Sequence, residues 1–223
     1  MTIYRTEGIV LQAKKYGEQD HILSVFTSGY GILKLFLKGR SYQKTPSITL
    51  LTRAEFVYRE GKSDLYSCSE ISPLNACLDL RKNLDVMEAA LDFVKALTGS
   101  QLNCKPAPHL YSLLLSYLEK LPSIPDSRTL AMSFRLKILH HEGLLLIDSC
   151  CATCQTPLKE HYMEGSESYC AQHALAHFCA FSSEEVVLLK MLAFTRSFKE
   201  LFAVKLPADF PRKVCQFFVQ SLE

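Results

Sequence analysis

The apolar residues change period part-way along the chain, and that change limits the fold to a strand-rich beginning joined to a helical remainder. Up to about residue 75, five short apolar runs (8–14, 21–27, 31–38, 50–58 and 65–71) are separated by Tyr16-Gly17-Glu18-Gln19-Asp20, Ser28-Gly29-Tyr30-Gly31 and Glu60-Gly61-Lys62-Ser63-Asp64. Those breaks supply the glycines and short polar residues that tight turns need, at the spacing of a small barrel. Alternation is approximate through Ile32, Leu33, Leu35 and Leu37 and clearer where Phe56 and Tyr58 flank Val57. Five such strands suit a small closed barrel of the OB-fold kind.

After Pro73 the spacing becomes helical: Leu84, Met87, Leu91, Val94 and Leu97 recur every three or four residues. Lys105-Pro106-Ala107-Pro108 separates that helix from a second carrying Leu110, Leu113, Leu114, Tyr117, Leu118 and Leu121, which Pro122 and Pro125 close. Asp126 or Ser127 can cap a third, in which Leu130, Phe134, Lys137 and Ile138 mix apolar and basic residues, and Gly143 is a plausible terminator. Ser182-Ser183-Glu184-Glu185 has the form of a capping box before Val186, Val187, Leu189 and Leu192. A last helix around 212–222 buries Val214, Phe217 and Phe218, with Asp209 and Pro211 marking its start.

Between these helices lie two metal-ligand pairs, Cys151-x-x-Cys154 and Cys170-x-x-His173, with fifteen residues between them. Ligands two residues apart can reach one cation from a tight turn, and the longer interval lets a hairpin bring the second pair round. The spacing predicts a closed site in which Cys151, Cys154, Cys170 and His173 hold structural Zn²⁺, although Cys150 and His177 offer a competing register. A redox role for the first pair lacks the strand-to-helix context it needs. The other six of the nine cysteines are expected to be small buried hydrophobes or free thiols of a reducing compartment. The amino terminus lacks the basic head and apolar segment of a signal peptide, and no stretch of eighteen apolar residues follows, so a cytoplasmic protein is expected.

The expected architecture is therefore α+β in two domains. Residues 1–78 form an OB-fold nucleic-acid-binding barrel, and 79–223 a helical domain with the zinc knuckle at about 148–178. At 223 residues the chain is long enough for both. The clip would hold together the helices around 130–150 and 182–193.

Charge separates the same two regions. Residues 1–53 hold eight basic side chains against Glu7, Glu18 and Asp20, a net +5 in a chain whose total is +2, and 21–54 contain no acid at all. Such asymmetry fits a first domain that faces a polyanion. Lys14, Lys15, Lys34, Lys38, Arg40 and Lys44 are the candidate phosphate contacts, interleaved with Phe36 and Tyr42 in the manner of single-strand binders. Of the two rings, Phe36 is expected in the core and Tyr42, beside Arg40, on the nucleic acid.

Enzymatic signatures are missing. The chain has no phosphate-binding G-x-x-x-x-G-K-[ST], no H-E-x-x-H, no G-x-G-x-x-G and no G-x-S-x-G. His140-His141-Glu142 followed by Cys151 and Cys154 has the residue types of a zinc deaminase. However, Cys170 and His173 would close the position that a catalytic zinc keeps open for water. The expectation is a protein that is not an enzyme.

Taken in order, Glu7-Gly8-Ile9-Val10-Leu11, Gly17-Glu18-Gln19-Asp20, Thr27-x-x-Tyr30-Gly31, Lys38-Gly39-Arg40 and Ser133-Phe134-Arg135-Leu136-Lys137-Ile138-Leu139 leading to Gly143 and the first cysteine pair resemble the RecO family of bacterial recombination mediators. The resemblance implies an amino-terminal OB-fold, a helical carboxy-terminal domain with an embedded zinc knuckle, binding of single- and double-stranded DNA, and annealing of complementary strands. It also implies partners: RecR, the carboxy-terminal tail of single-stranded-DNA-binding protein and, indirectly, RecA, at the nucleoid and with no membrane. His173 stands where the commoner version has a fourth cysteine. A second reading, from a different class, makes the chain chiefly a protein-interaction adaptor with weak DNA contact, in which Arg128, Arg135 and Lys137 receive an acidic peptide.

Overall fold

The structure, a computed structural model, describes residues 2–39, 48–61 and 64–223. By contacts the chain divides into two compact units, 1–84 with 101–119, and 85–100 with 120–223.

In the first unit, β1 (Ile3–Tyr16), β2 (Asp20–Thr27), β3 (Gly31–Leu37), β4 (Arg53–Arg59) and β5 (Leu65–Asn75) close a barrel in the order β1-β2-β3-β5-β4. This is the OB-fold barrel that the strand pattern predicts. All pairings are antiparallel except β3 with β5. The long β1 serves two neighbours: its first half pairs with β4 and its second with β2, and a bulge between Val10 and Gln12 lets it turn the corner. Alternate residues of each strand point inward, so Val10, Leu23, Val25, Leu33, Leu35, Leu37, Phe56 and Tyr58 fill the interior. Each fully buried side chain of this size contributes roughly 1.5–3 kcal/mol.

Residues 101–119, assigned by sequence to the helical region, pack with this barrel. The amide of Cys104 donates to the Ile32 carbonyl at 3.0 Å. In the helix Pro108–Lys120, the Tyr111 ring meets Phe26 edge-on at 5.8 Å and its hydroxyl donates to Glu7 Oε1 at 2.7 Å. Arg53 completes the network, donating from Nε and Nη2 to the two Glu7 oxygens at 2.7 and 2.9 Å. The Arg53 hydrogen bonds, helped by the Tyr111 hydroxyl and opposed by burial, hold the Glu7 carboxyl below the usual carboxylate range. Because the folded value is depressed, the stabilisation is fully present above the unfolded value of about 4.3 and is lost as pH falls through the folded one. Glu7→Gln should lower stability by about 1 kcal/mol at pH 7, a modest figure because the pair is part-exposed. Denaturant unfolding should show that difference shrinking towards pH 3.

The second unit is built on α3, since α1 is Leu84–Ser100 and α2 the helix Pro108–Lys120 already described. Helix α3 (Ser127–His141) is buried on nearly all sides, where the sequence shows a mixed surface. It packs against α4 (Ser183–Phe194), α5 (Phe198–Ala203) and α6 (Phe210–Gln220). Phe134 lies tilted against Phe93 of α1, with ring centroids 4.6 Å apart. Two of the buried polar groups of α3 are paired across the unit: Ser133 Oγ donates to the Leu192 carbonyl at 2.6 Å, and Arg135 to Asp92 at 3.2 Å. The ends follow local chemistry. Asp126 caps α3 by accepting from the Arg128 amide, and Gly143, at φ 75°, ends it in a Schellman turn with Leu144 N–H to Leu139 O at 2.8 Å. Ser182 and Glu185 form the expected reciprocal capping box on α4. No helix among the described residues is long and apolar enough to cross a membrane.

A three-stranded sheet joins this unit: β6 (His161–Glu164), β7 (Glu167–Tyr169) and β8 (Cys179–Phe181), in the order β7-β6-β8. Phe181 of β8 meets Phe210 and Phe217 of α6 edge-on, and Gln220 at the end of α6 accepts from the Cys179 thiol at 2.9 Å. Helices α3 and α4 touch directly, and the knuckle rests on α6 and on the start of α4, where Ser183 donates to the Lys159 carbonyl, instead of lying between α3 and α4 as expected.

Candidate metal centre and nucleic-acid face

The two ligand pairs sit on two tight turns that the small hairpin brings together. Gln155, at φ 57°, closes the first turn with its amide on the Cys151 carbonyl at 2.9 Å. Ala152 N–H donates to Ser168 O on β7 at 2.9 Å, which fixes the hairpin against that turn. Cys170 follows β7 directly, and the amides of His173 and Ala174 both donate to its carbonyl at 3.0 Å. The ligand atoms of Cys151, Cys154, Cys170 and His173 all lie within 4.8 Å of one another.

Their separations test whether an ion fits. A tetrahedral zinc with bonds of about 2.3 Å to sulfur and about 2.0–2.1 Å to nitrogen needs S···S edges of about 3.8 Å and S···N edges of about 3.6 Å. The chain has Cys154 Sγ to Cys170 Sγ at 3.9 Å, and His173 Nδ1 to Cys151 Sγ and Cys170 Sγ at 3.7 and 3.3 Å. These four residues can hold a metal ion in a closed tetrahedron, and Nδ1 is the histidine atom turned towards it.

Electrostatics support the same use. Burial pushes the Cys151 thiol up, but the backbone amides of Cys154, Cys170 and Thr153 outweigh it and bring the group down to about 6. The Thr156 hydroxyl and amide hold Cys154 low, while burial keeps Cys170 high. The alternative register is decided by other partners. Cys150 sits in a bridge with Pro157, and His177 is bonded to Glu164 at 2.8 Å. All nine cysteines are free of disulfides. His140 rests edge-on against Phe194, apart from the cluster.

On the barrel, strand register sorts the basic residues by face. Gln12, Ser24 and Lys34 share one cross-strand row; Lys14, Ile22 and Phe36 share the next on the same face. Lys15 lies in the row of His21 and Leu37, whose other members point inward, but at the exposed end of β1. Lys14, Lys15, Lys34 and Lys38 are all exposed, and among the described residues none is paired with a carboxylate. Arg40, Tyr42 and Lys44 lie outside the described residues. Phe36 is not a core ring. Because β3 alternates, Leu35 and Leu37 take the interior and Phe36 falls between them on the outer face, where it meets Tyr16 edge-on at 6.1 Å. The signal was present in the one-residue offset from Leu35 and Leu37, but the long apolar run obscured it.

Comparisons place the chain. The family model described as recombination protein O N terminal matches residues 1–77, and that of recombination protein O C terminal matches 89–223. The chain belongs to the RecO family. Similar proteins include the DNA repair protein RecO of Chlamydia trachomatis serovar D, 26% identical over 221 residues, covering 96% of this chain and 90% of that protein. The DNA repair protein RecO of Chlamydia muridarum is 25% identical over 221 residues, covering 96% and 94%. That of Desulfitobacterium hafniense is 29% identical over 147 residues, covering 64% and 53%.

The landmarks that resemble other RecO sequences meet in space. Asp20, from the first turn, accepts a hydrogen bond at 2.9 Å from the amide of Gly39, and a Cβ on Gly39 would lie 2.4 Å from Gln19. Thr27 donates to the Gly31 carbonyl at 3.0 Å and accepts from the Tyr30 amide, closing the second turn. These contacts place Lys38 beside the β1–β2 turn. The residues of the adaptor reading are occupied otherwise. Arg128 pairs with Asp126, Arg135 is buried on Asp92 and over the Phe218 ring, and Lys137 donates to the carbonyls of Ala193, in the last turn of α4, and Thr195, just after it. Burial depresses the Lys137 ammonium, with Arg196 adding to the effect.

Proposed function

We propose that this RecO-family chain is a DNA-binding repair protein, not an enzyme, and that its barrel carries the DNA contact. The observation that supports this most is the outward lysine face, Lys14, Lys34 and Lys38, with no paired carboxylate among the described residues and with Lys15 at its edge. Arg40, Tyr42 and Lys44 are the further candidate contacts from the sequence. Cations on the barrel neutralise phosphates and so remove the repulsion that opposes bringing two complementary strands together, which is the physical content of strand annealing. In this reading the protein works at the nucleoid in the cytoplasm with RecR, takes the tail of single-stranded-DNA-binding protein, and helps RecA onto the strand that protein covers. Zn²⁺ at Cys151, Cys154, Cys170 and His173 would be structural, because a closed four-ligand site leaves no position for water.

With five or six phosphates neutralised, the log of the affinity falls against log salt with a slope of about −4 to −5. Lys14→Ala with Lys34→Ala should make that slope shallower by about 1.4 to 1.8, since each lost contact removes about 0.7 to 0.9. Fluorescence anisotropy on a labelled oligonucleotide reads this directly. An unchanged affinity and slope would remove DNA binding from this face.

A further inference from the structure

The outer face of the barrel carries two aromatic rings that the interior does not need. Lys14, Ile22 and Phe36 lie in one cross-strand row; Tyr16 is one step further along β1 on the same face and Lys34 one step back along β3. The rings of Tyr16 and Phe36 meet edge-on, with centroids 6.1 Å apart and planes at 84°. Tyr16 is 59% exposed, so much of its ring surface is open to solvent. Interior positions of β3 are already filled by Leu35 and Leu37, both fully buried. The two adjacent rings make an apolar spot on a basic face, and an unpaired base offers a π-face that an exposed ring can stack on. Lysines on either side supply the phosphate contacts that hold the backbone past the rings.

We propose that Tyr16 and Phe36 form a base-stacking subsite for an unpaired DNA strand, flanked by Lys14 and Lys34. The inference rests on the DNA-binding reading above and adds to it a preference. Stacked duplex bases cannot present their faces to these rings, so the rings discriminate single strands while the lysines serve both forms.

The chain contains no tryptophan, so Tyr16→Trp installs a single reporter at the subsite. Titrating it with oligo(dT) should quench its emission, and a blunt duplex bound to the same saturation should not. In parallel anisotropy titrations, Tyr16→Ala and Phe36→Leu, the latter keeping an apolar side chain of similar size, should each weaken oligo(dT) binding about tenfold. Duplex affinity should stay within about twofold. Equal losses on both forms, no loss on either, or unquenched emission with oligo(dT) bound would overturn the subsite. If the unaltered protein binds neither form, the DNA-binding reading fails and the subsite with it. If it binds with the expected salt slope and Tyr16→Ala changes nothing, only the subsite fails.

Discussion

Replacing Cys151 with serine is expected to cost the helical unit more than about 4 kcal/mol, the range reached when a structural metal is lost. In a chain of this size that is a fall of about 10 °C in the unfolding midpoint. The reason lies in what the knuckle has besides its ligands. Between 150 and 181 only Cys151, Met163, Cys179 and Phe181 are buried apolar residues, and of these only Phe181 is a large ring fixed to α6. So little apolar area cannot repay the ordering of some thirty residues, and metal binding at the four ligands would become part of the folding free energy. Scanning calorimetry with metal analysis checks this. A chelator should bring the unaltered protein to the midpoint of Cys151→Ser and leave the variant where it is. His173→Cys should keep the metal, since three or four thiolates are both acceptable zinc sets. Acid should release it, because the ligands must be deprotonated to bind. A midpoint indifferent to chelator would end the structural role.

Gly31→Ala is expected to destabilise the barrel unit by about 3 kcal/mol or more, combining left-handed strain with a backbone clash. Gly31 has φ 65°, and a Cβ there would stand 2.0 Å from the carbonyl oxygen of Lys105, which cannot move as a flexible side chain could. Two other glycines separate the causes. Gly17 has φ 64° with nothing within 4 Å of its would-be Cβ, so Gly17→Ala should cost only about 1 kcal/mol for the left-handed conformation. Gly29 has neither problem, and Gly29→Ala should be within about 0.5 kcal/mol of neutral. Denaturant midpoints at equal slope order the three. If Gly31→Ala matched Gly17→Ala, the packing of the 101–119 segment against the β2–β3 turn would not matter to stability.

The part of the site that was legible in the sequence is the part carried by neighbours along the chain. Cys151 and Cys154, or Cys170 and His173, are two residues apart, so each pair reaches a common point whatever the rest does; Ser182 and Glu185 cap a helix from within one turn. Strand runs and turn glycines are equally local, which is why five barrel strands could be read with their breaks. Phe36 was misplaced because its face is set by register with β2, not by its own hydrophobicity. Arg128, Arg135 and Lys137 look alike as free cations in the sequence, and differ only in what packs beside them.

By itself the sequence determined that this protein has a basic strand-rich half, a helical half, and four ligands spaced for one tetrahedral ion. Those properties depend on period, charge and separation over a few residues, which survive any arrangement of the whole. Only the tertiary structure decided that 101–119 pack with the barrel through Tyr111 and Glu7, that His173 presents Nδ1, and that Tyr16 and Phe36 share an outward face with Lys14 and Lys34. Each joins groups distant along the chain or fixes which way a side chain turns, and the free energy that selects it comes from burial and pairing formed when the chain closes on itself.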